Sequence, residues 1–150
     1  MRFHRALAVS LLLPLAAGGC LFEETFGGDV RPGETFTLRM GDTARLVGTG
    51  TRVTFDDVPS DGRCPEGAHC AWEGSATVIV TAGESAPVRH ELRTVRRDPG
   101  SPRGNDPTRD DRTTRLDGHV LRLLELTPGR RLGADIPPDD YRARFRIDPD

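Results

Sequence analysis

The chain has 150 residues and a formal net charge of −2, with 35% hydrophobic and 29% charged side chains, 17 glycines and 12 prolines. That length supports one core rather than two, and the turn-rich, modestly apolar composition argues for a β protein and against a helical bundle. A slightly acidic balance disfavours nucleic acid as a partner, because backbone affinity needs clustered cations.

In chain order the first element is an address. Arg2 and Arg5 form a cationic start, and residues 6–17 are an apolar run broken only by Ser10 and Pro14. The run is shorter than the roughly 20 residues of a membrane span and has the length of a secretory signal's apolar region. Ala17, Gly18 and Gly19 lead directly into Cys20. This junction resembles the lipobox of bacterial lipoproteins, with Ala17 where Leu is usual. The resemblance implies that residues 1–19 are a signal peptide that is removed, and that the Cys20 thiol carries a diacylglyceryl group. The protein is then exported and anchored to a bacterial membrane through Cys20, periplasmic or at the cell surface. Leu21, where an Asp would be read differently, implies the outer membrane in a Gram-negative cell. Two or more acyl chains make such an anchor stable, each buried methylene contributing about 0.8 kcal/mol. Loss of Arg2 and Arg5 with the signal takes the net charge from −2 to −4.

Residues 20–32 read as a lipidated tether, since Glu23, Glu24, Gly27, Gly28 and Asp29 break any period. Residues 33–150 read as a single β domain. Its clearest strand is Tyr141 to Ile147, where Arg142, Arg144 and Arg146 alternate with apolar side chains, the period of two that sets one face against a core. Similar runs are Glu34 to Leu38, Thr43 to Val47, Thr51 to Val58, Ser75 to Thr81, Val88 to Val95, Arg112 to Leu116 and His119 to Leu126. Turn signals separate them, above all Asp117-Gly118, which suits the positive φ of a type I′ hairpin. Seven to eight short strands predict an antiparallel β-sandwich or a small β-barrel, and sequence does not separate the two. The expected inward set is Phe36, Leu38, Val53, Phe55, Val78, Val80, Leu92, Val120, Leu124, Tyr141, Phe145 and Ile147. No helix is expected. Arg97 to Asp111, without a large apolar side chain, reads as a solvated hairpin extension in which Asp98, Asp106, Asp110 and Asp111 largely cancel nearby arginines.

Residues 61–74 hold the two remaining cysteines and the only tryptophan. In an oxidising compartment Cys64 and Cys70 should pair, closing a short loop that stabilises by about 2 to 2.5 kcal/mol on chain-entropy grounds. Pro65 and Gly67 shape the turn, Trp72 is expected to cover the disulfide, and Gly74 to mark a bulge. Arg63, Pro65, Glu66, His69 and Trp72 make this the candidate binding loop. Zn or Cu on Cys64, His69 and Cys70 is the competing reading, weakened by the adjacency of two ligands and the lack of a fourth. A redox role fits less well, because five residues separate the pair where redox dithiols have two. Asp56, Asp57, Asp61 and Glu66 lack calcium-loop spacing and read as solvated turn carboxylates.

Asp61-x-Arg63-Cys64-Pro65, followed by Cys70-x-Trp72-x-Gly74 and a strand, resembles a motif of small bacterial secreted proteins and lipoproteins. The likeness extends from about Arg31 to Ile147, through Leu126-Thr127-Pro128 and the closing strand with Tyr141. It implies export and the disulfide, and it brings no activity. Gly62, Glu73 and the 97–111 loop depart from the pattern. Three histidines remain in the mature part, His69, His90 and His119, and there is no nucleophile elbow, phosphate-binding glycine loop or zincin helix. The expectation is therefore a non-catalytic envelope lipoprotein with no cofactor, which presents its β domain to a protein or envelope partner. Two alternatives stand beside it: a proteinase inhibitor using the disulfide-closed loop, with Arg63 as specificity residue, and a metal-binding lipoprotein.

Overall fold

The computed structural model describes residues 27–96 and 108–150. The stretch expected to be a signal, Cys20, the first part of the expected tether and most of the 97–111 segment lie outside the described residues. Among the described residues there are nine strands: β1 (Gly28–Val30), β2 (Thr35–Arg39), β3 (Thr43–Leu46), β4 (Arg52–Asp61), β5 (Ala76–Gly83), β6 (Val88–Arg93), β7 (Thr113–Leu116), β8 (His119–Thr127) and β9 (Arg142–Pro149). A single 3-10 turn, Pro138–Asp140, precedes β9. Among the described residues no helix is long and apolar enough to cross a membrane.

The strands form two sheets, one ordered β1-β3-β4-β5-β6 and the other β2-β9-β8-β7. Among the described strands neither sheet closes on itself, so of the two architectures expected the chain adopts the sandwich. All pairings are antiparallel except β1 with β3. Alternation explains each inner face. Phe36 and Leu38 of β2, Val53 and Phe55 of β4, Val78 and Val80 of β5, and Ala143, Phe145 and Ile147 of β9 are buried together. Phe145 joins the two layers: its ring lies 5.8 Å from Phe36 in its own sheet and 6.4 Å, edge-on, from Phe55 in the other. The Asp117-Gly118 turn has the expected conformation, with φ of 40° and 79°, and Leu116 pairs with His119 across it.

Three expectations are corrected. The stretch read as tether does not run to residue 32 as free chain: Gly28–Val30 pairs in parallel with β3, and Val30 is buried in the core. A three-residue strand is too short to show a period. In β8, Val120 and Leu124 do not form the inner set. Leu121, Leu123 and Leu126 do, while Leu124 is 37% exposed. The inner phase begins at Leu121, and the register shift between Leu123 and Glu125 brings Leu126 instead of residue 125 onto the same face, because one extra residue in a strand reverses the facing of everything beyond it. Finally, the end of the 97–111 segment is not solvated. The Asp111 side chain is buried against Arg109, and its backbone bonds Arg96 and Arg93.

Candidate functional site

The loop between β4 and β5 is the disulfide segment. Its neck continues the β4–β5 ladder: Asp61 pairs with Ala76, Gly62 N–H donates to Ser75 O at 2.8 Å, and Cys64 N–H donates to Glu73 O at 2.8 Å. Beyond the neck, Cys64 and Cys70 are joined, with Cα atoms 6.0 Å apart. Gly74 has a φ of 66°, and a β-carbon there would stand 2.0 Å from Gly62 O. Glycine is thus required both by conformation and by space. The register shifts in this hairpin fall within β4, between Phe55 and Ser60, so Gly74 marks a close backbone crossing instead of the expected bulge.

Beneath the loop, Asp61 and Arg63 form one cluster with Tyr141, which lies in a separate segment of the sequence. Asp61 accepts from Arg63 at three points, the backbone N–H at 3.2 Å, Nε at 2.8 Å and Nη2 at 2.6 Å. The Arg63 guanidinium also reaches the opposite sheet, donating to Leu126 O and, at 2.9 Å, to Pro128 O. Tyr141 OH donates to Asp61 Oδ2 at 3.1 Å. Five donors of a planar guanidinium can satisfy a carboxylate and two carbonyls at once, which a lysine ammonium cannot match in geometry. Asp61 is therefore not a solvated turn carboxylate. Burial opposes its ionisation, but the Arg63 hydrogen bonds and charge, with the Tyr141 hydroxyl, hold its carboxyl below the usual range. Burial, then the Asp61 charge and hydrogen bond, push the Tyr141 phenol up to about 12.

The same cluster ties in a second loop, residues 128–137 between β8 and β9. Arg130 Nη1 donates to Arg63 O at 2.9 Å, Glu66 N–H donates to Arg130 O at 2.9 Å, and Glu66 bridges to Arg131. Leu132 at its tip is 74% exposed. Beside it is an open depression of about 260 Å³ that includes Pro128, Arg131, Ile136 and Pro137 in its wall. This second loop was missing from the sequence-derived site. Its one signal was Leu126-Thr127-Pro128, whose carbonyls receive Arg63.

The candidate binding residues are now distributed. Glu66, His69 and Trp72 are exposed on the disulfide loop and Pro65 is half-buried. Trp72 is 53% exposed, so half of the ring faces solvent where a cover for the disulfide was expected. Arg63 is withdrawn from the surface, its side chain 15% exposed and bonded to Asp61, Leu126 O and Pro128 O within the domain. An inhibitor's specificity residue must enter a protease pocket, and this side chain is committed elsewhere. The joined cysteines likewise leave His69 without the thiolates of the metal reading, and among the described residues no three His, Cys, Asp or Glu side chains converge as a metal site. His90, half-buried on β6, bonds Thr114 Oγ1 through Nδ1 at 2.9 Å. Comparison with protein-family models, curated proteins and solved structures gave no match.

Proposed function

We propose that this chain is a non-catalytic lipoprotein of the bacterial envelope, anchored through Cys20, whose β domain binds a protein partner at the surface formed by the disulfide loop and the 128–137 loop. One observation carries the binding role. Trp72 stands 53% exposed on a loop closed by a disulfide and hydrogen-bonded across its neck. A large aromatic held rigidly in water has already lost the freedom that docking would otherwise remove, and such side chains dominate binding energy at interfaces. Leu132, on the adjoining loop, adds a second apolar contact.

The anchor rests on the cationic start, the short apolar run and the small residues before Cys20. Mass spectrometry of the N-terminal peptide from the native host tests it, with a diacylglyceryl adduct on Cys20 expected and an unmodified thiol refuting it. For the binding surface, a photocrosslinking residue at Ala71, next to Trp72, should give a discrete adduct in intact host cells. The same residue at Thr49, at the opposite end of the sandwich, should give none, and Trp72→Ala should abolish the Ala71 adduct. Equal adducts from both positions would refute the role of this surface.

A further inference from the structure

The outer faces of the two sheets carry different charge. On the β2-β9-β8-β7 sheet, the residues that alternate with the buried set include Arg39, Arg115, Arg122, Arg142, Arg144 and Arg146. Register sets them side by side: Arg39 opposite Arg142, and Arg122 opposite Arg146. Successive arginines of β9 are about 7 Å apart along the strand. Glu125 and Asp148 are the carboxylates on the strands of this face, pairing with Arg144 at 3.0 Å and Arg146 at 2.8 Å. At its margin Asp110 holds Arg122 and Asp150 holds Arg115. The other sheet is balanced, with Arg45, Arg52, Arg89 and Arg93 against Asp29, Asp56, Asp57 and Glu91. In a protein of net charge −2, the six arginines of the β2-β9-β8-β7 sheet against its four carboxylates leave that face a modest positive excess.

The tether reaches the domain where the edges of the two sheets meet, entering β1 of the other sheet just after it touches β2. Gly27 N–H donates to Thr37 O at 3.3 Å, and Thr37 lies opposite Arg144 on the edge strand β2. From Cys20 to Gly27 the chain can span at most about 25 Å. A lipid on Cys20 would keep this edge within about 25 Å of the bilayer, so that the face can come inside the Debye length, about 8 Å, over which anionic headgroups attract a basic surface. We infer that the arginine face of the β2-β9-β8-β7 sheet rests on anionic phospholipid headgroups, so that the anchored domain has a fixed orientation instead of swinging freely on its tether. This inference rests on the proposed Cys20 anchor. Arginine suits the task because its planar fork bonds phosphate oxygens in pairs and is weakly hydrated. The carboxylates do not block it: Glu125 and Asp148 make exposed pairs, which exchange for phosphate at little cost.

The test uses the protein purified from its native host, mixed with or reconstituted into vesicles of phosphatidylcholine alone or with phosphatidylglycerol added. Arginine side chains are labelled with phenylglyoxal and read by mass spectrometry. In the anionic vesicles, labelling of Arg144 and Arg146 should fall about fivefold relative to neutral ones, a factor set by roughly one charge's attraction to the surface. Arg45 and Arg52, on the other face, should label equally in both, and high salt should remove the protection. The double variant R144Q/R146Q, which alters only outward side chains, should lose the protection of Arg39 and Arg142 as well. Equal labelling of Arg144 and Arg146 in both vesicles would overturn the inference. So would protection that grows with protein concentration on neutral vesicles, which would assign the face to a second copy. The mass of the N-terminal peptide in the same digest reports the anchor independently, so loss of the lipid and loss of the face are distinguishable.

Discussion

Two arginine–aspartate clusters brace this sandwich, and they use similar side chains to different effect. Around Asp61, the Arg63 guanidinium is 15% exposed and the carboxylate 9%, and the contacts tie the disulfide loop of one sheet to backbone carbonyls of the other. Around Asp110, three arginines gather: Arg112 at 3.1 Å, Arg122 at 2.8 Å and Arg96 at 3.7 Å. There the carboxyl is also held below its usual range, with burial opposing and Arg112 and Arg122 prevailing, while the Asp110 contact raises Arg112. Yet its arginines are more exposed than Arg63, at 30% for Arg112, 37% for Arg122 and 70% for Arg96. Counting charges would rank the second cluster higher. Burial and the backbone each cluster secures reverse that order, because exposed pairs are screened and a buried charge deprived of its partner is not.

Breaking the first cluster is the sharpest test of this ranking. Arg63→Ala leaves Asp61 half-buried without its cation and should cost about 3 kcal/mol in urea unfolding. It should also raise amide exchange in residues 64–73 and 128–137 even with the disulfide intact. Replacing both Cys64 and Cys70 by serine should cost less, about 2 kcal/mol, and leave exchange at the neck of the loop nearly unchanged. If the two variants swapped places, the disulfide and not the arginine would be what holds the loop.

Tyr141→Phe removes one hydrogen bond to a charged group and should cost about 1 to 2 kcal/mol at neutral pH. Its distinctive result is at high pH. A phenol raised from 10.0 to about 12 contributes stability that is complete below pH 10 and is lost as pH rises between those values. Urea midpoints of the wild type should fall through that window more steeply than those of the Phe variant. Asp61 runs the other way: its lowered carboxyl contributes above 3.8 and ceases to as pH falls through the folded value. Smallest of all, Asp110→Asn should cost under about 1 kcal/mol and the difference should shrink in high salt. A loss equal to that of Arg63→Ala would break the comparison.

Much of the fold was legible because strand alternation is a local property. Arg142, Arg144 and Arg146 between apolar neighbours identify β9 without knowledge of its partners, and Asp117-Gly118 names its own turn. The failures were also physical. A strand of three residues, Gly28–Val30, carries no period, and in β8 apolar residues stand in both phases around Arg122, so alternation does not choose between Val120 and Leu121. Trp72, expected from its type to cover the disulfide, stands past the neck of the loop and is half in water.

By itself the sequence determined where eight of the nine described strands form, where they turn, and that Cys64 and Cys70 were available to each other, since each depends on neighbours within a few residues. Only tertiary structure decided that Arg63 would face inward and join two loops. Its partners are the carbonyls of Leu126 and Pro128, 63 and 65 residues away. Every residue has a carbonyl, so nothing in a side chain's identity marks the one that will be in reach once two sheets have closed over a common core.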